Sequence, residues 1–494
     1  MAIELVGYAR LINKYNLACI LPTCTAMIDT SVKGRVKSDD TLRFEPKYRP
    51  SDNVSEDLQF AFRYEGINLQ VLHFLFRENV KGEIQNWVNQ QSESKYARQA
   101  AFLYEWLTND ILDSNVPSKA SYVPLLDERL QFGISEGDKS QKFRIINNLP
   151  GNQNFCPIVW KTEFLKEIVN NNLKLRTQET LAKYDADLLR RAAGYLYLKE
   201  TQSSFEVERE RPSPDRAQRF ADLLRESETG TPLSEDRFIE LQNAVLDPRF
   251  QDVSYRTQQN WIGDNKGYRK KISLVPARPE DVRELMGGLV QQAEDFRENN
   301  QSIDAVIMAA CVAFGFVFIH PFMDGNGRLH RYLIHEILSA AGFTPKGIVL
   351  PVSAVILANL DEYVEVLEFF SKPLVARTSY DPDVPQAPAT GNDAVFFKYF
   401  DATEQASFLY KSLENTVEND LQNEIEFLIG FDKARSELNA LFDWPPHSLD
   451  LFIAVVHQNN YLLSKSKKQS HFEWLSDDEI SRFEHLVKEA FHSA

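Results

Sequence analysis

A histidine, an aspartate and two arginines occur within twelve consecutive residues of the chain, HPFMDGNGRLHR, which ends at Arg331. His320 is a candidate general base, because imidazole titrates near neutral pH. Asp324 is a candidate Mg²⁺ ligand, because proteins hold Mg²⁺ through one or two carboxylates together with substrate phosphates. Arg328 and Arg331 are three residues apart and would share one face of a helix. Together these residue types predict phosphoryl or nucleotidyl transfer.

The elements around this segment would bring those side chains to one point. Ala305–Ile319 is apolar throughout, which predicts a buried helix that ends at the following His-Pro dipeptide. Gly325 and Gly327 permit backbone conformations that are closed to other residues. A second helix is predicted from about residue 328 to residue 341, with Gly342 as its C-terminal cap. A glycine-containing loop that leads into a helix presents several N–H groups to one anion, so the segment predicts a phosphate site.

Each part of the segment also has a purely structural explanation. A histidine at a helix end also fits a cap or a core residue, GNG also fits a turn, and two arginines also fit a solvated helix face. The physical chemistry of the residues therefore predicts a site without identifying its reaction.

The twelve residues match the motif HPFx(D/E)GNGRxxR at every defined position, and the chain therefore resembles the Fic family. Asn260–Asn265 (NWIGDN) resembles the start of the β-hairpin flap of that family. The resemblance extends over about residues 195–375. It implies a mainly α fold with a Fic-type helical core and a small β-hairpin flap, flanked by helical N- and C-terminal regions.

The resemblance implies a protein adenylyltransferase that transfers AMP from ATP to a Ser, Thr or Tyr hydroxyl of a target protein. His320 would take the proton from that hydroxyl, Asp324 would bind Mg²⁺, and Phe322 would be buried to hold the loop. Tyr363 is the candidate for adenine stacking, with plain helix packing as the alternative. The resemblance assigns the phosphates to Gly325, Asn326, Gly327, Arg328 and Arg331.

The flap is expected to position the target. Trp261, Ile262 and Gly263 would hold an extended target segment by strand-like main-chain pairing, so that its hydroxyl lies next to His320.

An upstream segment fits the family's inhibitory pattern (S/T)xxxE(G/N). It begins at Ser204 and places its glutamate at Glu208, but Arg209 replaces the usual Gly or Asn. The resemblance implies that Glu208 pairs with Arg331 and keeps the enzyme autoinhibited. A charged helix surface is the alternative, because three glutamates alternate along residues 206–210.

Glu65 is a second candidate for the inhibitory glutamate. It is followed by Gly66, as the pattern asks, but Ala61 occupies the Ser/Thr position. We therefore favour Glu208.

Two other functions are compatible with the same motif. The site could remove AMP from modified protein, or the Fic core could serve as a catalytically silent scaffold or regulator. The intact motif favours AMP transfer over a silent scaffold, but the direction of the reaction stays open.

The chain is divided by texture into an N-terminal mostly helical region (1–194), a Fic core (195–377), a linker with three prolines (378–393) and a C-terminal helical region (394–494). A net charge of −16 argues against a nucleic-acid partner. The basic cluster Lys465–Lys468 leaves a nucleic-acid-binding winged helix in the C-terminal region as the alternative.

The N-terminus lacks the pattern of a signal peptide and the longest apolar run has fifteen residues, so we expect a cytoplasmic protein without a membrane span. Its expected partners are ATP, a target protein and, by resemblance, a second copy in a homodimer.

Overall fold

The computed structural model describes residues 4–38, 40–114, 116–117, 119–227, 230–265, 270–298, 303–384, 388–445 and 447–492. These residues form helices and nine short strands, so the prediction of a mainly α fold is confirmed. They divide into two compact units. The first comprises Met1–Asn172, Pro212–Phe343 and Asn359–Lys411, and the second comprises Leu173–Arg211, Thr344–Ala358 and Ser412–Ala494.

The strands, in chain order, are β1 (Glu4–Leu5), β2 (Thr25–Ile28), β3 (Arg35–Lys37), β4 (Thr41–Phe44), β5 (Val123–Pro124), β6 (Asp138–Ser140), β7 (Ile145–Asn147), β8 (Ile262–Asn265) and β9 (Lys270–Leu274). The helices are α1 (Tyr8–Tyr15), α2 (Val54–Tyr64), α3 (Leu69–Leu75), α4 (Lys81–Gln90), α5 (Lys95–Thr108), α6 (Glu163–Asn170), α7 (Leu173–Leu181), α8 (Ala186–Val207), α9 (Pro214–Glu226), α10 (Glu235–Val245), α11 (Pro279–Glu298), α12 (Ala305–Ile319), α13 (Asn326–Ala340), α14 (Val352–Ala358), α15 (Leu360–Val375), α16 (Ala394–Lys398), α17 (Thr403–Asn415), α18 (Leu421–Leu441), α19 (Ser448–Gln458), α20 (Lys465–His471) and α21 (Asp477–His492).

The N-terminal part of the first unit contains two small sheets. One has the strand order β1-β2-β4-β3, with β2 parallel to β4. The other has the order β5-β7-β6, with β6 and β7 paired antiparallel. The sequence of residues 1–120 predicts mostly helices and did not predict the first sheet. The strands of that sheet have only two to four residues and show little alternation of apolar and polar residues.

Helix α12 is the central element of the first unit. Its residues from Val306 to Ile319 are all buried, as its uninterrupted apolar sequence predicts. Asp304 caps its N-terminus by accepting hydrogen bonds from Val306 N–H at 2.9 Å and Ile307 N–H at 3.1 Å. Within the described residues, no helix has both the length and the apolar character that crossing a membrane requires.

Helix α13 follows the motif loop and ends as predicted. Gly342 takes a left-handed conformation with φ 60°, which a side chain would strain. Its N–H donates to Ser339 O at 2.8 Å, and Phe343 N–H donates to Leu338 O at 3.0 Å. These two bonds form a Schellman motif that satisfies the last carbonyl groups of the helix.

The second unit is built around α8, which packs against α14 and α18. The buried Glu200 accepts hydrogen bonds from Ser353 N–H at 2.9 Å and Ser353 Oγ at 2.5 Å, and so caps α14. Lys199 pairs with Asp420 at 2.7 Å and Glu424 at 2.8 Å. In the described residues between 421 and 492 all regular elements are helices, so the winged-helix alternative lacks the strands of a wing there.

Candidate active site

His320 closes α12 in a left-handed conformation, with φ 56° and ψ 63°. Its N–H donates to Phe316 O at 2.9 Å, and its ring Nδ1 lies 3.2 Å from Val317 O. A carbonyl oxygen can only accept, so this contact requires a proton on Nδ1. The neutral imidazole then carries its lone pair on Nε2, which is the arrangement that a general base needs.

The loop after His320 is closed by one asparagine. Asn326 Oδ1 accepts from Phe322 N–H at 3.1 Å, and Asn326 Nδ2 donates to Phe322 O at 2.9 Å. The ring of Phe322 is fully buried and meets Tyr255 edge-on, with 5.5 Å between ring centroids. Phe322 therefore lies where its expected role as the loop's anchor would place it. The side chain of Asn326 is used within the loop, which leaves its backbone N–H as its group toward a phosphate.

Asp324 lies at the mouth of the loop with 59% of its side chain exposed. Its Oδ1 accepts from Gly325 N–H at 2.5 Å and lies 3.3 Å from Arg328 Nη2. Arg328 is itself buried and donates from Nη1 to Val245 O at 3.3 Å. The predicted metal ligand and the predicted phosphate-binding arginine are thus adjacent.

The N-terminus of α13 lies where the sequence predicts an anion site. Gly325 is the N-cap with φ 86°, and Gly327 is already helical. The first N–H groups of a helix have no acceptor in the helix itself and carry the positive end of its dipole. Arg331 lies one turn further along and is fully buried. An anion at this helix end would meet backbone donors, with two arginines on the same helix.

Two residues near the loop were not predicted from the sequence. Asp252 accepts a hydrogen bond from Met323 N–H, and burial together with the charge of Asp324 raises the pKa of its carboxyl group. Gln242, on α10, donates from Nε2 to Asp252 Oδ2 at 3.1 Å and to Asp324 O at 3.5 Å. Neither belongs to a motif or a periodic pattern, so the sequence carried no signal for them.

The carboxylate at the loop suits a hard cation that retains water and substrate ligands. The described residues contain no group of three or more His, Cys, Asp or Glu side chains that could hold a metal alone. A single exposed carboxylate is the donor set expected for Mg²⁺ that arrives with phosphates. Asp324 therefore fits Mg²⁺ and not a structural metal.

The predicted flap is an antiparallel hairpin of β8 and β9, with a register shift between Ile262 and Gly263. Trp261 lies directly before β8. The sequence predicts a turn at Gly263–Gly267, but Gly263 belongs to β8, and residues 266–269 lie outside the described residues. Lys270 of β9 reaches the proline-containing segment after α15, where its Nζ donates to Pro382 O at 3.0 Å and Asp383 Oδ1 at 2.5 Å. The segment at residues 378–393 thus contributes side-chain and main-chain contacts to the flap.

Tyr363 is on α15 and is only 5% exposed. Its ring lies 6.1 Å from that of His330, 6.4 Å from Phe314 and 5.8 Å from Phe408, measured between centroids. His330 in turn contacts Ala313 O through Nδ1 at 2.7 Å. These contacts favour the helix-packing alternative, and adenine stacking by Tyr363 stays a prediction.

Ser204 and Glu208 belong to the second unit, whereas the loop belongs to the first. Ser204 lies in the last turns of α8, and Glu208 is its C-cap. Arg209 takes the left-handed conformation, with φ 57°, and donates to Glu206 O at 2.8 Å. Glu210 N–H donates to Phe205 O at 3.1 Å, which completes a Schellman motif. The helix therefore ends in a left-handed turn, with Arg209 at the position where the pattern has Gly or Asn.

Glu65, the second candidate for the inhibitory glutamate, has a structural role as a helix cap. It is half-buried, and its Oε1 accepts from Tyr8 N–H at 3.1 Å at the N-terminus of α1. Burial raises the pKa of Glu65 to about 8. Asp57 accepts from Gly7 N–H at 3.0 Å at the same helix end. Glu65 thus caps a helix in the N-terminal part of the first unit.

Part of the chain is similar in sequence to known proteins. Residues 232–338 match the Fic/DOC family. Protein adenylyltransferase fic-1 of Caenorhabditis briggsae is 32% identical over 141 residues, which is 28% of this chain and 25% of that protein. A Fido domain-containing protein of Dictyostelium discoideum is 38% identical over 89 residues, which is 18% of this chain and 57% of that protein. The crystal structure of a Fic family protein from Desulfovibrio desulfuricans G20 is 20% identical with a TM-score of 0.38, and the match covers 62% of this chain and 90% of that one.

The matched residues include α10, the flap, α11, α12 and the motif loop. The chain spans 25% of the length of the nematode relative, so the likeness concerns this domain and not the whole of that protein. With its motif complete and folded between α12 and α13, the segment 232–338 is a Fic/DOC-family domain.

Proposed function

We propose that this Fic domain transfers AMP from ATP to a Ser, Thr or Tyr hydroxyl of a target protein. The observation that carries the proposal is the complete motif loop, folded so that the base candidate His320 and the helix N-terminus at Gly325 lie at the two ends of one short turn. Relatives that are named protein adenylyltransferases support the same activity.

The chemistry follows from the loop's own groups. His320 Nε2 would accept the proton of the target hydroxyl as its oxygen attacks the α-phosphorus. Pyrophosphate leaves, and negative charge grows on its oxygens. The amides at the start of α13, together with Arg328 and Arg331, would stabilise that charge.

Asp324 would hold Mg²⁺ together with the phosphates of ATP. Bound there, the ion would supply charge neutralisation on the α- and β-phosphates. The Asp324–Arg328 contact at 3.3 Å would keep the carboxylate directed along the loop.

An extended target segment fits the flap. A β-hairpin can pair with an added strand through main-chain hydrogen bonds, which fixes a hydroxyl without demanding a particular side chain. Trp261, Ile262 and Gly263 are the residues we assign to this pairing. The homodimer and the cytoplasmic location stay predictions.

We also propose that Glu208 restrains the activity, through the competition for Arg331 that the inhibitory pattern implies. The left-handed turn at Arg209 supports this assignment, because it gives α8 the end that the pattern normally obtains with Gly or Asn. Removal of AMP from modified protein is the second candidate function, since the same residues could activate water in place of a hydroxyl.

Incubation with ATP labelled at the α-phosphate, Mg²⁺ and cell lysate tests the proposal. We expect label on protein, and more label with Glu208→Gly. If purified, previously labelled protein instead loses its label rapidly with the unmodified enzyme and gains none, the second candidate function replaces the first.

A further inference from the structure

Arg256 lies between the flap and the motif loop and is only 5% exposed. Its guanidinium donates to four main-chain carbonyl groups. Nε donates to His320 O at 2.7 Å, and Nη2 donates to Ile319 O at 3.3 Å. Nη1 donates to Gln258 O at 3.0 Å, and Nη2 also contacts Ala277 O.

Two of these acceptors are the last carbonyl groups of the helix that presents the base. The carbonyl groups of Ile319 and His320 have no partner within α12 itself, and a cation at a helix C-terminus also complements the helix dipole. The backbone of Arg256 adds a third bond, from its N–H to Pro321 O at 2.8 Å. One residue therefore binds three consecutive carbonyl groups around His320, whose left-handed backbone persists only if its surroundings hold it.

The other two acceptors belong to the two ends of the flap. Gln258 lies four residues before β8, and Ala277 lies three residues after β9. The same guanidinium thus joins the entrance and the exit of the hairpin to the carbonyl group of His320. Burial lowers the pKa of Arg256 to about 10, so the group remains charged at neutral pH. A guanidinium suits this position because its donors form a fixed planar fork, which a lysine ammonium cannot reproduce.

We propose that Arg256 is a positioning residue for the transfer: it fixes the flap and His320 in one frame, so that a hydroxyl held by the flap meets the imidazole. The expected effect on turnover rests on the proposed function. The effect on the position of His320 does not depend on activity. Because a displacement of about 1 Å can cost on the order of a hundredfold in rate, a looser frame should reduce turnover more than substrate binding.

The experiment compares Arg256→Lys with Arg98→Lys. Arg98, on α5, is a matched control, because it is 3% exposed and its Nη1 donates to the carbonyl groups of Ser121 at 2.9 Å and Arg144 at 3.4 Å. Both variants exchange a buried guanidinium that binds main-chain oxygens. The first readout is the histidine ring spectrum of ¹⁵N-labelled protein without nucleotide, with the His320 signals identified by His320→Ala. The second is the ATP affinity and the turnover of auto-modification at saturating ATP.

We expect Arg256→Lys to shift the His320 ring signals and to reduce turnover by about tenfold to a hundredfold, with ATP affinity within about threefold of the unmodified protein. Arg98→Lys should leave both readouts unchanged. Unshifted His320 signals in folded Arg256→Lys would overturn the inference, as would unfolding of Arg256→Lys and Arg256→Gln under conditions where Arg98→Lys stays folded. If neither the unmodified protein nor Glu208→Gly transfers AMP, the proposed function fails, and the ring spectrum alone still decides the position of His320.

Discussion

His320 and Arg209 share an unusual backbone state for different reasons. Each follows the last turn of a helix, and each is a non-glycine residue in the left-handed region, with φ 56° and φ 57°. At His320 the neighbouring carbonyl groups are bound by the distant Arg256. At Arg209 the bonds come from the helix end itself, through Glu206 O and Phe205 O.

Under the proposed function, the strain at His320 serves catalysis, whereas the strain at Arg209 serves only the shape of a helix end. A left-handed conformation costs a residue with a β-carbon about 1–2 kcal/mol. At position 320 the proposed general base would account for that cost, and the buried Arg256 donates to the neighbouring carbonyl groups. At position 209 glycine, which the pattern (S/T)xxxE(G/N) allows, would make the same turn without the strain.

The largest effect is expected at His320. Removing a general base typically costs about 10²- to 10⁴-fold in rate. His320→Ala and His320→Gly should both lose label transfer and keep ATP binding, since the base acts on the hydroxyl. His320→Gly should unfold at an equal or higher temperature than His320→Ala, because glycine relieves the left-handed strain. Transfer at the unmodified rate in either variant would remove His320 from the mechanism.

The next effect is expected at Asp324. Asp324→Ala should weaken Mg²⁺-dependent ATP binding and lower transfer by about ten- to a hundredfold, since the charge held at the phosphates is lost. Titration of ATP with and without Mg²⁺ measures this. The exposed carboxylate of Asp361 on α15 provides the control, and Asp361→Ala should change neither quantity. Equal activity in Mg²⁺ and in chelator would contradict the metal role.

A gain of activity is expected at Glu208. Glu208→Gly should raise auto-modification by about tenfold, if two negative groups compete for the donors of one guanidinium. Arg331→Ala in the same background should cancel the gain. Glu206→Gly, two positions earlier on α8, controls for the loss of a helical glutamate and should not activate. Activation by Glu65→Gly alone would show that the inhibitory glutamate had been assigned to the wrong helix.

The smallest effect concerns stability and compares two Schellman motifs. Arg209→Gly should raise the stability of the protein by about 1 kcal/mol, because it removes left-handed strain. Gly342→Ala should lower stability by about the same amount, since a β-carbon there has open space and only the backbone is strained. Thermal unfolding of both variants measures the pair. A destabilised Arg209→Gly would mean that the arginine side chain stabilises the turn.

Local chemistry explains what the sequence predicted well. The uninterrupted apolar run of Ala305–Ile319 predicted the buried helix α12 and its end before His320, and Gly342 predicted the end of α13. The start of α13 was predicted two residues late, because Asn326 and Gly327 look like turn residues and are nevertheless helical. The family motif then assigned roles that no periodicity could have supplied.

Contacts that depend on distant parts of the chain explain what the sequence missed. Arg256 is 64 residues before His320 and belongs to no motif, so its bond to the His320 carbonyl group could not be read from spacing. Gln242 lies 82 residues before Asp324 and is a further example. The packing of Tyr363 against His330 could not be predicted from the sequence either, because it follows from the tertiary fold.

The most direct test of nucleotidyl transfer places the label at different phosphates of ATP. Unmodified protein, Glu208→Gly and His320→Ala are incubated with Mg²⁺ and ATP labelled at either the α- or the γ-phosphate, and protein-bound label is counted. We expect protein-bound label from the α-phosphate alone, an increase with Glu208→Gly, and none with His320→Ala. Protein-bound label from the γ-phosphate, or α-label that persists in His320→Ala, would contradict nucleotidyl transfer by this site.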